Sequence, residues 1–212
     1  FTTVDLDANK PVVRGGEAVL GNLIADSFFF YAIDKGYNVD FAMANGGNIR
    51  FNSTTRPNGI YPAGNITQDD INELLPFNNT GIIVEITGLE LKSTLERSVH
   101  ALPIIEGSSG NGAFAHVSSG VQIVVDTSLQ AQIIDELNNV GTITIEGERV
   151  VQVTINGELL DLQHTYLVLI PSFAAGGGDV YVMLGAIGDD RKIDLAEPLK
   201  VALRNYLAVI SP

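Results

Sequence analysis

The sequence predicts an α+β fold, a mixed sheet with helices packed on it, and three observations carry that expectation. Helical and strand-like patterns are interspersed without strict strand-helix-strand alternation, which favours a mixed sheet over a doubly wound one. Hydrophobic residues make up 45% of the 212 residues and charged ones only 17%, ample for a core and far from the composition of a disordered chain. No internal repeat and no Pro/Gly/Ser linker divides the chain, so 1–212 reads as one domain.

Residues 17–35 are expected to be helical: Leu20, Leu23, Ile24 and Phe28 recur at three- and four-residue steps, and Gly36 sits where a C-cap belongs. Val39 to Met43 is a short apolar run, a buried strand that feeds the loop Asn45 to Arg50. Thr67 followed by Asp69 and Asp70 reads as an N-cap with an acidic first turn, opening a short helix at 68–75 that Pro76 stops. Ile82 to Thr87 is a β-branched strand, and Leu89 to His100 an amphipathic helix. The stretch Glu106 to Gly120 is Gly/Ser-rich and reads as irregular. Strands are expected at 121–126, 142–146 and 149–155, with Asn156-Gly157 as a hairpin turn. Residues 165–170 form another strand, leading into the glycine loop 175–179, and a final helix is expected at about 194–208.

Composition excludes several function classes. Twelve basic against 25 acidic side chains leave a formal charge of −13, opposite to the basic stripe that a nucleic-acid polymer demands. No apolar run approaches the ~20 residues of a membrane span. Cysteine is absent, which removes disulfides, zinc-cysteine sites and thiol nucleophiles. His100, His116 and His164 are scattered without metal-ligand spacing, and each reads as a surface or internally satisfied histidine. There is no G-x-S-x-G elbow, phosphate-binding loop or dinucleotide fingerprint, so neither catalytic residues nor metal ligands are assigned. The chain opens at Phe1 without a signal-peptide pattern and reads as a processed product or a piece of something longer. Asn52, Asn65 and Asn78 head glycosylation sequons, a pattern that chance often produces.

The loops are more informative. Asn45 to Arg50 places two glycines, an asparagine and an arginine at a strand's carboxyl end. Glycine lets a ligand approach the backbone, asparagine offers a donor and an acceptor, and arginine offers forked donors to phosphate or ribose. Phe77 and Phe173 each open a polar or glycine-rich segment, where an aromatic can stack on a base.

In order along the chain stand Arg14 ahead of Leu20 to Asp26, then Asn45 to Arg50, Leu75 to Asn79, and Phe173 to Tyr181, with Gly112-Ala113-Phe114 before Val117 as a fifth landmark. This ordered set resembles the C-terminal, substrate-binding domain of the 5′-nucleotidase and UDP-sugar hydrolase family, and it spans nearly the whole sequence. The resemblance implies that family's C-terminal-domain fold. It also implies roles: Phe77 and Phe173 sandwich a nucleobase, Arg14 and Arg50 hold the phosphate and ribose side, Asn45 and Asn79 reach the base, and Asp179 accepts from ribose hydroxyls. Two positions depart from the family pattern, Asn48 and Val180, each standing where glycine is common.

The resemblance further implies that catalysis belongs to an N-terminal metallophosphoesterase domain absent from this chain, where two divalent metals activate water. On this expectation the chain holds no cofactor, binds a nucleotide or nucleoside, works beside that domain of the same parent, and resides in the periplasm, outside the cell or on its surface. A stand-alone nucleoside or sugar-nucleotide binding protein is the alternative, and a structural or adhesive domain with a vestigial pocket is a third. Nucleoside monophosphates, UDP-sugars, dinucleotides and cyclic nucleotides all stay open as substrates. The distant net charge does not oppose an anionic ligand: exposed charges are screened beyond about 8 Å, whereas a bidentate arginine acts at contact.

Overall fold

The computed structural model describes residues 1–135 and 141–210. In chain order the elements are β1 (Leu6–Asp7), α1 (Lys10–Gly15), α2 (Val19–Asp34), β2 (Phe41–Asn45), β3 (Ile60–Tyr61), α3 (Gln68–Leu74), β4 (Thr80–Thr87) and α4 (Gly88–Val99). There follow β5 (Ala115–Val117), β6 (Val121–Val125), β7 (Ile133–Asp135), β8 (Thr142–Ile145), β9 (Val150–Ile155), β10 (Glu158–Leu159), β11 (Thr165–Pro171), α5 (Ser172–Ala175), α6 (Val182–Ala186), β12 (Lys192–Pro198) and α7 (Leu199–Ile210).

The main sheet has five strands in the order β12-β4-β11-β2-β5. Its β11–β2 pair is parallel and the other pairs are antiparallel, so the sheet is mixed, as expected for an α+β chain. Alternation along the strands divides the core in two. Ala42, Ala44, Ile83 and Leu169 point to one face, beneath α2 and α7. Phe41, Met43, Val84, Ile86, Val168 and Ile170 point to the other, beneath α4 and the β9 strand. Burial on both faces explains why β2 and β11 read as continuous apolar runs rather than alternating ones.

Local signals act where expected. Thr67 accepts from the backbone N–H of Asp70, whose carboxylate accepts in return, a complete capping box on α3, and Thr87 does the same with Glu90 on α4. Asn156 and Gly157 have φ of 52° and 88°, the paired left-handed residues of a two-residue hairpin turn joining β9 to β10.

Two expectations are corrected. The stretch 194–208 is not one helix: its first part is β12, and α7 begins only after Pro198. β12 covers the otherwise open edge of β4, pairing Lys192–Asp194 with Ile82–Val84, and backbone pairing along that edge outweighs local helix preference. Within the irregular stretch 106–120, Ala115–Val117 forms β5 because its backbone completes the far edge beside β2.

Candidate ligand site at one end of the sheet

Strand directions collect the loops. β2 and β11 are parallel, so their carboxyl ends, bearing Asn45 and the segment around Phe173, point the same way. β4 runs antiparallel to β11, pairing Gly81 with Pro171, which puts its start, just after Phe77 and Asn79, at that same end. β5 runs antiparallel to β2, pairing Ala115 with Asn45, and brings the Gly112–Phe114 loop there too. The backbone N–H of Thr80 donates to Ser172 Oγ (3.1 Å), tying the Phe77 and Phe173 segments together.

Asn45 is 1% exposed and ends β2. Its Nδ2 donates to Asp179 Oδ2 at 2.6 Å and makes a longer contact with the Gly112 carbonyl at 3.5 Å. The approach is tight: a Cβ on Gly47 would lie 2.5 Å from Asp179 Oδ2, and one on Gly112 would lie 2.8 Å from Asp179 Oδ1. A side chain at either position would have to displace the Asp179 carboxylate. Asp179 sits in a 3-10 turn after Gly177 with φ 52°, and Val180 follows at φ 62°. Both lie in the left-handed region, which a β-branched valine rarely occupies.

Arg14 lies in the last turn of α1, which packs on the Gly46–Asn48 turn following β2. Arg50 follows that turn, with its backbone N–H bonded to the Leu74 carbonyl (3.0 Å) and its Nη1 donating to the Ile49 carbonyl (2.9 Å). Burial lowers the pKa of Arg14, and the charge of Asp179 opposes that shift. Burial likewise lowers Arg50, the positive charge of Arg14 lowers it further, and Asp179 again opposes. Arg50 thus feels the positive charge of Arg14, and both feel the negative charge of Asp179, an electrostatic setting that a further anionic group would favour. Among the described residues, Arg14 Nε and Asn45 Oδ1 are buried without a hydrogen-bond partner, so the site holds unmet donor and acceptor capacity.

Phe77 and Phe173 are 45% and 50% exposed, unusual for large apolar rings. The Arg50 guanidinium lies 5.2 Å from the centre of the Phe77 ring, in cation-π range. The Phe173 ring lies directly over Gly178, the residue before Asp179. Asn79 Nδ2 donates to Asn48 Oδ1 (2.9 Å), so Asn48 holds the Asn79 side chain.

The structure therefore links Arg14, Asn45, Arg50, Phe77 and Asp179 through direct contacts and shared charge. Asn79 joins through Asn48, and Phe173 flanks the Asp179 turn. Sequence reasoning missed Arg97, whose Nε donates to the Asp179 carbonyl at 3.1 Å from the last turn of α4. An arginine at a helix end ordinarily reads as solvated, and only packing reveals that this one is buried. It also missed the Tyr181 hydroxyl, which donates to the Ala113 carbonyl and whose pKa burial raises.

A cleft of about 540 Å³ opens elsewhere, between α2 and β6, and includes none of the seven site residues. A cavity of about 370 Å³ reaches Arg50 beside Ile49, Lys10 and Ser109. Among the described residues, no group of three or more His, Asp or Glu side chains could hold a metal ion, and no helix is long and apolar enough to cross a membrane.

Comparison with known proteins fits this geometry. The family model described as 5′-nucleotidase, C-terminal domain, matches residues 1–186. A snake venom 5′-nucleotidase from Gloydius brevicauda is 32% identical over 196 residues, covering 86% of this chain and 29% of that protein. The Homo sapiens 5′-nucleotidase is 29% identical over 196 residues, covering 86% and 30%. The crystal structure of a 5′-nucleotidase precursor from Thermus thermophilus superposes with a TM-score of 0.77 at 30% identity, covering 98% of this chain and 36% of that one. The chain thus spans about a third of the length of these relatives.

Proposed function

The chain belongs to the 5′-nucleotidase C-terminal domain family, and we propose that it is the nucleotide-recognising part of a 5′-nucleotidase-like phosphoesterase. One observation carries this reading: at a single end of the sheet, Asn45 holds the Asp179 carboxylate, Arg50 lies against the half-exposed Phe77, and the half-exposed Phe173 flanks the Asp179 turn.

The chemistry of each group suits one part of a nucleotide. Phe77 and Phe173 offer faces for a base, which gains about 1–3 kcal/mol from stacking. Asn45 keeps an open acceptor at Oδ1 for a base or ribose donor. Asn79, oriented by Asn48, offers a second amide toward the base. Asp179 accepts from ribose hydroxyls, and Arg14 and Arg50 bind the phosphate side with charge-assisted, forked hydrogen bonds.

Among the described residues no group of three or more His, Asp or Glu side chains suits a two-metal hydrolytic centre, and no step of hydrolysis is assigned to them. The bond-breaking chemistry belongs to an N-terminal metallophosphoesterase domain of the same parent, and this chain supplies proximity and orientation. Relatives named as venom enzymes support a parent that is periplasmic, secreted or held at the cell surface.

Calorimetric titration of the chain with adenosine, AMP, uridine and ribose 5-phosphate tests the reading. Saturable binding of a nucleoside is expected, tighter for AMP than for adenosine; silence with all four compounds overturns it. The chain with AMP and a divalent metal should release no phosphate, and robust turnover would move catalysis into this chain.

A further inference from the structure

The turn that presents Asp179 is conformationally expensive. Asp179 and Val180 are consecutive non-glycine residues at φ 52° and 62°, and valine's branched Cβ is poorly suited to that region. Such a backbone persists only where its surroundings over-determine it. Asn45 pulls on the carboxylate (2.6 Å), and Tyr181, completely buried just beyond the turn, ties its hydroxyl to the Ala113 carbonyl. Neither of these contacts touches the Asp179 peptide itself. Arg97 does: its Nε–H donates to the Asp179 carbonyl at 3.1 Å.

Arg97 is 3% exposed, on the helix face turned away from solvent, and its Nε–H reaches the backbone carbonyl of Asp179. The planar, rigid fork of arginine directs its Nε–H along one line, which a flexible lysine cannot reproduce.

We propose that Arg97 is a positioning residue for ligand recognition: by holding the Asp179 carbonyl it locks the left-handed turn and aims the carboxylate at the ribose hydroxyls. The proposal rests on the reading of Asp179 as the ribose acceptor. Arg97 acts through Asp179 and makes no contact with the ligand. Its loss therefore erodes discrimination for the ribose while leaving base stacking intact.

The test is titration of the chain with adenosine, 2′,3′-dideoxyadenosine and adenine, for the wild type, Asp179→Ala, Arg97→Lys and Arg97→Lys/Val180→Gly. The wild type should prefer adenosine to its dideoxy analogue, and Asp179→Ala should abolish the preference. Arg97→Lys should reduce the preference about fivefold, the range of one well-placed hydrogen bond, with adenine affinity unchanged. Glycine at 180 adopts the turn without being held, so the double variant should recover part of the preference, which a merely structural role for Arg97 does not predict. An Arg97→Lys protein that keeps the full wild-type preference overturns the proposal. A wild type without preference, or an Asp179→Ala variant that retains it, instead overturns the ribose assignment and the proposal with it. Should Arg97→Lys fail to fold, exchange of the Arg97 Nε proton in the wild type decides: slower exchange with adenosine but not with the dideoxy analogue supports the proposal, and no response overturns it.

Discussion

Asn45 donates its side-chain amide to the carboxylate of Asp179 at 2.6 Å, joining two loops that lie 134 residues apart in the chain. The bond closes one end of the main sheet: Asn45 ends β2, and Asp179 follows β11, the parallel neighbour of β2. A ligand that engages Asp179 must therefore share the carboxylate with Asn45, within the field of Arg14 and Arg50.

Replacing Phe173 by alanine separates stacking from folding. The ring is half exposed, so the melting temperature should hardly move, while nucleoside affinity falls about tenfold, within the range for one aromatic face on a base. Titration with adenosine beside a thermal melt checks both halves, and unchanged affinity removes Phe173 from the site.

Arg50→Ala removes a charge shared with Asp179 and a cation resting on Phe77. AMP binding should weaken more than adenosine binding, by a further factor of about ten for the lost charge-assisted bond. Equal losses for the two ligands would place Arg50 on the base or ribose instead.

Val180→Gly relieves the left-handed valine but adds freedom to the unfolded chain. The net gain expected is about 1 kcal/mol, a rise of about 2–4 °C in melting temperature for a chain of this size. Scanning calorimetry reads it directly; a lower melting temperature would mean that the valine side chain contributes packing that outweighs the strain.

Acid should destabilise the fold in two windows. His116 is buried; Nε2 donates to the Val13 carbonyl (2.9 Å), leaving Nδ1 without a partner among the described residues. Burial lowers its pKa from the ordinary 6.5, against the opposing pull of the Val13 bond and the charge of Glu17. The unfolded chain therefore binds the proton first, and stability falls as pH drops below 6.5, by at most about 1.4 kcal/mol per pH unit. Glu90 is different: bonds from Arg191 and the Thr87 cap hold its carboxyl near 2 instead of 4.5, despite burial that pushes it up. Its contribution is complete above 4.5 and is lost as pH falls toward 2. Thermal melts across pH should show His116→Gln flattening only the upper window and Arg191→Met only the lower. Identical profiles for all three proteins would refute both assignments.

Much of this fold is legible in the sequence alone. Period-four apolar spacing marks α2, Thr67 and its acidic first turn mark α3, and Asn156-Gly157 marks a hairpin, because each signal acts within a few residues. Where an element exists to serve a distant partner, local pattern misleads. β12 reads as helix yet pairs with the edge of β4, and β5 hides in a glycine-rich loop yet completes the sheet beside β2.

The same division holds at the site. Residue types alone pointed to forked donors and an amide in the Asn45–Arg50 loop and to stacking faces at Phe77 and Phe173, since such capacities are properties of residues; the roles expected of Arg14, Asn79 and Asp179 came from the family resemblance. Only tertiary structure decided that strand direction gathers these loops at one end of the sheet, that Asn45 holds the Asp179 carboxylate, and that a buried Arg97 bonds its backbone carbonyl. Those outcomes depend on chain segments far apart in sequence meeting in space, and sheet pairing and close packing, which bring them together, are not written in any short stretch of residues.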